Sequence, residues 1–277
     1  MERQNLNFHQ TFKPERNYIS SILTDGEFCS GMTVQEIAEQ TGIPTGKSSG
    51  KVEPTLAYCE FMNLISKEKA NGVYRIELTS MGKCIRSEDI GLSEKLTMLL
   101  CHCMMVRRVK GAGLWSYIFH EIFPKYRNIV EKTLFEKEIE MRFGSNVKMG
   151  PFHGTYEDLF SALNVLNISS DRISITSMGY DREFVYLYAY VLFVYWDEWY
   201  EKVQGSDVVS KEEITSKQLK EIGFRFAFGW SEKEEYDVLE HLSDQNLIRM
   251  NRQLSPYTIR RLTDEESLIG KLYSELC

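Results

Sequence analysis

Two segments near the start of the chain carry apolar residues at helical spacing. The first runs from Thr33, a favoured helix N-cap, to Gly42, a residue type that commonly ends helices. The second has an apolar residue every three or four positions, and these residues are Val52, Leu56, Cys59 and Met62. The pattern predicts two consecutive helices joined by a short polar turn.

A two-stranded hairpin is predicted directly after the second helix. Asn71-Gly72 favours a tight turn, and the following "VYRIELT" alternates apolar and polar residues as a half-buried strand does. Helix, turn, helix and hairpin is the order of a winged helix-turn-helix, whose second helix lies in the DNA major groove while the hairpin contacts the backbone. The residues predicted to contact DNA are Lys47, Ser48, Ser49, Lys51, Thr55 and Tyr58 on the second helix, and Lys69 and Arg75 on the hairpin.

The glycine-rich segment before the second helix suggests an alternative, a loop that binds nucleotide phosphates. Gly42, Gly46, Lys47 and Ser48 are one residue too close together for the P-loop spacing. A P-loop also follows a buried strand, whereas the residues before Gly42 have helical periodicity. We therefore expect no nucleotide cofactor here.

The last quarter of the chain repeats the pattern of the first. "ITSKQLKEIGF" resembles "MTVQEIAEQTGI", with Thr215 in the position of Thr33. Asn-Leu-Ile occurs at residues 63–65 and again at 246–248, each time before a polar hairpin and a strand that ends in Leu-Thr. A second winged helix-turn-helix is therefore predicted.

Charge separates the two copies. The N-terminal copy has seven lysines and arginines and four glutamates between Ile43 and Arg86. The second helix of the C-terminal copy, "SEKEEYDVLEHLSDQ", has six acidic residues and one lysine. Because DNA phosphates repel carboxylates, we expect the C-terminal copy to mediate protein contacts, including self-association. Arginines of its hairpin could still reach a DNA backbone, and these are Arg249, Arg252, Arg260 and Arg261.

The segment between the copies is predicted to be helical. Two apolar helices meet at Gly111-Ala112-Gly113, and "TYEDLFSALNVLNI" has the pattern of a further amphipathic helix. The apolar run from Phe184 to Trp196 is 13 residues long, short of the roughly 20 that a membrane span needs. We therefore predict a buried aromatic helix and no membrane partner.

Few residues suggest catalysis or metal binding. Cys101, His102 and Cys103 are consecutive, and consecutive helical residues point about 100° apart, so they cannot converge on one ion. No nucleophile motif or paired carboxylates in a recognisable arrangement are present. Phe-His-x-Thr occurs twice, which makes His9 and His153 candidate functional residues, although chance also explains so short a repeat.

Composition limits the class of protein. The chain has 277 residues, of which 43% are hydrophobic, enough for two or three domains with buried cores. The first ten residues contain no apolar run of a secretory signal, and the six cysteines show no paired framework, which favours a cytoplasmic protein. The net charge of −7 places any DNA-binding surface on an otherwise acidic body.

Three segments resemble a bacterial family described as domain of unknown function 4007. They are "FHQTFKPER", "GIPTGKSSGKVEPTLAYCEFMNLI" and "LSEKLTMLLCHCMMVRRVKGAGLWSYIFHEIF", and the matching helix positions are Gly46, Lys47, Ser48, Val52, Leu64 and Ile65. Arg16 lies one place later than in the family, and residues 99–102 differ from the family's Leu-Trp-Leu-Leu-His. Members are encoded beside DNA phosphorothioation (Dnd-type) and anti-phage defence genes. The resemblance implies a role in DNA modification or defence, with proteins of the same operon as partners and Arg16 as a further candidate functional residue.

The sequence thus predicts a mainly α protein with small β-wings (α+β). It comprises an N-terminal winged helix-turn-helix (1–90), a helical middle domain (91–206) and a C-terminal winged-helix-like domain (207–277). The predicted function is non-catalytic binding of double-stranded DNA in a modification or defence system, without cofactor or metal. One alternative is an assembly adaptor whose winged helices bind only protein, and another is an enzyme with an unrecognised site.

Overall fold

The computed structural model describes residues 6–46, 50–203, 211–253 and 255–276. Within these residues, short antiparallel strands form three separate three-stranded sheets between helices, so the predicted α+β class with small sheets is confirmed. In chain order the elements are α1 (Arg16–Asp25), β1 (Met32–Thr33), α2 (Val34–Thr41), α3 (Val52–Phe61), β2 (Ile65–Ala70), β3 (Val73–Leu78), α4 (Ser80–Glu88), α5 (Lys95–Val106), α6 (Gly113–Tyr117), α7 (Phe123–Lys125), β4 (Ile129–Glu131), α8 (Lys132–Phe143), α9 (Gly150–Gly154), β5 (Leu166–Ile168), β6 (Arg172–Ile175), α10 (Val185–Val203), β7 (Glu213–Thr215), α11 (Ser216–Ile222), α12 (Glu232–Asp244), β8 (Ile248–Asn251), β9 (Thr258–Arg261) and α13 (Glu265–Ile269). Ile118–Ile122 and Thr155–Leu159 are π-helical turns, and Ser161–Leu163, Arg182–Phe184 and Phe224–Phe228 are 3₁₀ turns.

Local signals set several of these boundaries. Thr33 and Ser231 each form a capping box, in which the side chain accepts the backbone N–H of the third helical residue. Gly42 ends α2 in the left-handed conformation with φ 71°. Asn71 and Gly72, with φ 52° and 83°, make the tight turn between β2 and β3. These elements form as the sequence predicts.

One order of elements occurs three times. A short strand is followed by two helical segments and a hairpin, and the first strand pairs with the last, giving the orders β1-β3-β2, β4-β6-β5 and β7-β9-β8. We call these units module 1 (residues 32–78), module 2 (129–175) and module 3 (213–261).

The three modules share a backbone feature that supports their equivalence. In each, an asparagine in the left-handed conformation ends the second helical segment, with φ values of 60°, 49° and 55° for Asn63, Asn164 and Asn246. The carbonyl of the next residue accepts the N–H of the residue that follows the third strand, and the pairs are Leu64–Thr79, Val165–Thr176 and Leu247–Leu262, at 3.1, 2.9 and 3.0 Å.

The middle of the chain, predicted to be mainly helical, also contains the three-stranded sheet of module 2. Residues 155–168, predicted as an amphipathic helix, form a π-helical turn, a 3₁₀ turn and strand β5. The sequence carried a signal for this unit, since Thr-Ser-Met-Gly follows β3 at 79–82 and follows β6 at 176–179. The predicted boundary at residue 90 lies between α4 and α5, and the one at 206 lies outside the described residues.

Two apolar helices lie between the modules. All residues of α5 from Leu96 to Val106 are buried, and α10 buries 13 of its 19 residues. A helix that is apolar on all sides packs against neighbours on all sides, and α10 contacts α5, α11, α12 and α13. The aromatic run is therefore a core helix, as predicted. Among the described residues, no helix is both long and apolar enough to cross a membrane.

Candidate nucleic-acid interface

Helix α3, the predicted DNA-contacting helix, is almost entirely buried. Eight of its ten residues are buried, and Glu53 and Glu60 are the two that remain partly accessible. Thr55 is 6% exposed and Tyr58 is 1% exposed. A helix in this position cannot lie along a major groove, so the prediction that Thr55 and Tyr58 line such a groove does not fit the structure.

Tyr58 has a structural partner instead. Its hydroxyl donates to the carbonyl of Phe12 at 2.9 Å, and its ring packs against the rings of Phe8 and Trp115 at centroid distances of 4.9 and 6.3 Å. The N-terminal segment (residues 6–15) therefore covers the face of α3 that a winged helix-turn-helix would present to DNA.

Lys51 lies at the start of α3 and holds α1 in place. Its Nζ is 2.6 Å from Oε1 of Glu15 and 5.1 Å from the centroid of the Tyr18 ring. The hydrogen bond to Glu15 raises the pKa of Lys51. Lys51 is charged and half-buried, and its ammonium group already has a carboxylate partner.

The hairpin of module 1 contacts the same end of α3. Lys69 Nζ is 2.7 Å from Oε1 of Glu53, and the Tyr74 hydroxyl donates to that oxygen at 2.6 Å. These two hydrogen bonds lower the pKa of Glu53. Arg75 lies on the opposite face of the hairpin, 2.8 Å from Glu77, so the structure does not bring it near Lys69.

The loop between α2 and α3 completes this end of the module. Thr45 and Gly50 form an isolated antiparallel bridge, and the N–H of Lys51 donates to the carbonyl of Pro44 at 2.8 Å. Lys47, Ser48 and Ser49 lie outside the described residues. We call the described part of this loop, the start of α3 and the adjoining hairpin tip the end surface of module 1 (residues 45, 46, 50–53 and 69). In it, Lys69 is paired with Glu53, and Lys51 is paired with Glu15.

The two Phe-His-x-Thr segments meet in the structure. His9 and Phe152 both pack against Trp115, with ring centroids 6.0 and 5.5 Å apart, and His153 is adjacent to Phe152 at 5.8 Å. Both ring nitrogens of His9, Nε1 of Trp115 and Nε2 of His153 are buried without a hydrogen-bond partner in the described part of the chain. Burial lowers the pKa of both histidines. His9 is fully buried and cannot reach a DNA strand at the surface.

Arg16 also joins the N-terminal part of the chain to module 2. Its Nη2 donates to the carbonyl of Leu159 at 2.9 Å and lies 3.5 Å from Sδ of Met98. His9, Arg16 and His153 thus share one junction between the N-terminal segment and module 2. Their contacts among the described residues are packing contacts and one hydrogen bond, and a functional role for these three residues stays a prediction.

His102 is engaged by two neighbours from different modules. Its Nε2 lies 2.8 Å from the carbonyl of Ala227 and its Nδ1 lies 3.1 Å from the hydroxyl of Tyr156. Cys101 and Cys103 are buried beside it and carry free thiols. Within the described residues, no group of three or more His, Cys, Asp or Glu side chains could hold a metal ion. The absence of a metal at the Cys-His-Cys triplet stays a prediction.

The three modules around two central helices define a class of α+β architecture that solved structures share. A crystal structure of SspB and one of magnesium ion-bound SspB superpose on this chain with a TM-score of 0.70 each, at 14% and 12% sequence identity. The alignments cover 98% of this chain and 87% of each SspB chain. At such low identity the likeness establishes a shared fold. No family model and no curated protein sequence matched the chain.

Proposed function

We propose that the protein is a non-catalytic, double-stranded-DNA-binding component of a bacterial DNA-modification or anti-phage defence system. The fold shared with SspB supports the setting. The setting also agrees with the expectation, from the sequence resemblance, of a family encoded beside phosphorothioation and defence genes. The contact is made by the end surface of module 1, and α3 does not enter the groove.

The observation that carries the proposal is the clustering of lysines at one end of module 1. Lys69 is paired with Glu53, Lys51 lies two residues before Glu53 at the start of α3, and Lys47 lies in the sequence between the bridged residues Thr45 and Gly50. An exposed lysine–glutamate pair contributes only about 0–1 kcal/mol to stability, so a phosphate can compete with Glu53 for Lys69. Each ammonium group that moves to a phosphate releases counterions from the DNA.

This mode of contact limits the strength of binding. The end surface offers about three cations, and the nearby carboxylates of Glu15 and Glu53 reduce its net charge. We therefore expect weak, strongly salt-dependent binding with little preference for base sequence. Specificity for a DNA target would come from partner proteins of the same system or from recognition of the modified DNA itself.

Replacing Lys47 and Lys69 together with alanine should weaken duplex binding at every sequence tested. The slope of log K against log salt concentration should fall by about 1.8, since each lost phosphate contact removes about 0.9. Fluorescence anisotropy with a labelled duplex at several salt concentrations measures this slope. Arg75→Ala is the matched control, because Arg75 lies on the opposite face of the same hairpin. Equal slopes for the double variant and the unmodified protein would remove the end surface from the interface.

A second candidate function, an assembly adaptor, is favoured by the exposure of α12. This helix buries Glu235, Val238, Leu239 and Leu242 and turns an acidic face outward, in contrast to the buried α3. Asp237 is 46% exposed and has Lys233 as its partner. Such a face suits a basic protein surface. If the protein is only an adaptor, it should bind no duplex DNA at any salt concentration. The salt titration described above separates this function from DNA binding.

A further inference from the structure

Module 3 contains a groove that the proposed function does not use. It has a volume of about 530 Å³ and lies between α11, α12 and the loop that joins β8 to β9. The side chains that line it come from all three elements and include Lys217, Lys220, Tyr236, Arg252 and Tyr257. A site built by three elements keeps its shape better than one carried by a single loop.

The interior of the groove is basic. Lys217, Lys220 and Arg252 line it, and none of the described lining residues is acidic. Lys220 and Arg252 are about half exposed, so their charges face solvent as well as their ion-pair partners. Lys217 is exposed and has no ion pair within the described residues. Lys217 can attract a phosphate directly, whereas Lys220 and Arg252 must exchange their exposed carboxylate partners for phosphates, an exchange that costs little at a solvent-exposed ion pair.

Two tyrosines add a surface on which bases can stack. The rings of Tyr236 and Tyr257 are 5.6 Å apart and nearly perpendicular, and the guanidinium of Arg252 lies 5.7 Å from the Tyr236 centroid. Alternating cations and aromatic rings are the usual means by which proteins hold unpaired nucleotides. Burial raises the pKa of Tyr257 to about 12, so its hydroxyl remains a hydrogen-bond donor at neutral pH.

Carboxylates on the rim oppose a duplex. Glu232 lies 3.1 Å from Lys220, and Glu240 lies 2.7 Å from Arg252, both on α12 at the edge of the groove. Asp237 lies between them on the same helix. A single strand can place its phosphates among the interior cations, whereas the second strand of a duplex would lie against this acidic helix.

We infer that the groove of module 3 binds a single strand of nucleic acid through its phosphates and one or two stacked bases. The site is separate from the end surface of module 1, and it gives the protein contacts for both paired and unpaired nucleic acid. It also agrees with the expectation from charge that the C-terminal copy does not bind duplex DNA.

The test uses the full chain and a labelled 15-nucleotide oligothymidylate, with a labelled 15-base-pair duplex measured in parallel. Lys217→Ala with Arg252→Ala should weaken oligothymidylate binding at least tenfold and lower its salt slope by about 1.4, since each lost single-strand contact removes about 0.7. Duplex binding should stay unchanged. The matched control is Arg249→Ala with Arg260→Ala, which removes the same charge from the outer face of the same hairpin and should leave oligothymidylate binding within twofold.

A second variant tests the stacking part. Tyr236→Leu should weaken oligothymidylate binding about tenfold without changing its salt slope, because stacking releases no counterions. Failure of the unmodified protein to bind oligothymidylate in low salt, or equal losses in the groove and control variants, would overturn the inference. Neither outcome bears on duplex binding, which the proposed function assigns to module 1 alone.

Discussion

Replacing Arg107 with methionine should lower the free energy of unfolding by about 3–5 kcal/mol, the usual cost of leaving one charge of a buried ion pair without its partner. Arg107 and Glu198 are 4% and 6% exposed, with Nη1 2.8 Å from Oε1. Nε and Nη2 of Arg107 donate to the carbonyls of Met104 and Phe61 at 2.7 and 3.3 Å, and Lys110 N–H donates to Glu198 at 3.2 Å. The guanidinium thus joins the end of α3 to α5 and α10.

A double variant separates the effect of the unpaired buried charge from the effect of altered side-chain packing. Arg107→Met combined with Glu198→Met should recover much of the loss, since it removes both buried charges. Arg75→Met is the control for the substitution itself, and because the Arg75–Glu77 pair is exposed it should cost less than about 1 kcal/mol. Urea unfolding followed by circular dichroism gives the three values. A cost below 1 kcal/mol for Arg107→Met would contradict the role of this pair.

The advantage in unfolding free energy of the unmodified protein over His102→Gln should shrink, and then reverse, as the pH falls from 6.5 to about 4. Burial lowers the pKa of His102 from 6.5 to about 4, so the unfolded state binds a proton that the folded state excludes. The contribution of His102 to the free energy of unfolding therefore falls by about 1.4 kcal/mol for each pH unit in this window. At pH 7.5 the variant should be less stable by about 1–3 kcal/mol, the cost of disturbing two buried hydrogen bonds.

The comparison with the variant is necessary because other buried groups titrate with the opposite sign. Burial raises the pKa of Glu235 to about 7 and that of Glu265 to about 8, so both carboxyls bind protons more tightly when folded. Their contribution to stability grows as the pH falls. It offsets the loss from His102 and from His120, whose pKa burial lowers to about 3. Because both proteins contain these carboxyl groups, their contributions cancel in the difference between the two free energies of unfolding. A constant difference from pH 7.5 to 4.5 would show that His102 does not titrate as a buried neutral side chain.

The sequence predicted the elements whose signals are local. The capping boxes at Thr33 and Ser231, the left-handed Gly42 and the Asn71-Gly72 turn each depend on a few neighbouring residues. Module 2 was missed because it lacks the longer sequence likeness to module 1 that indicated module 3, whose strands are equally short. The repeated Thr-Ser-Met-Gly was the available signal.

The burial of the candidate site residues could not be predicted from α3 alone. Its second face carries Thr55 and Tyr58, residue types that occur equally at surfaces and in cores. The groups that cover Tyr58 come from distant parts of the sequence, Phe12 in the N-terminal segment and Trp115 in α6. Trp115 also packs against His9, whose burial the sequence around it does not indicate. Tertiary packing therefore buries Thr55 and Tyr58, while Lys69 at the hairpin tip stays about half exposed.

The salt dependence of duplex binding by the unmodified protein tests the central claim most directly. If the end surface of module 1 makes the contact, about three lysines meet phosphates, and the slope of log K against log salt concentration should be near −2.7. A helix seated in the major groove with six or more phosphate contacts would give a slope of about −5 or steeper. A slope that steep, or no binding to duplex DNA at about 20 mM salt, would contradict the account.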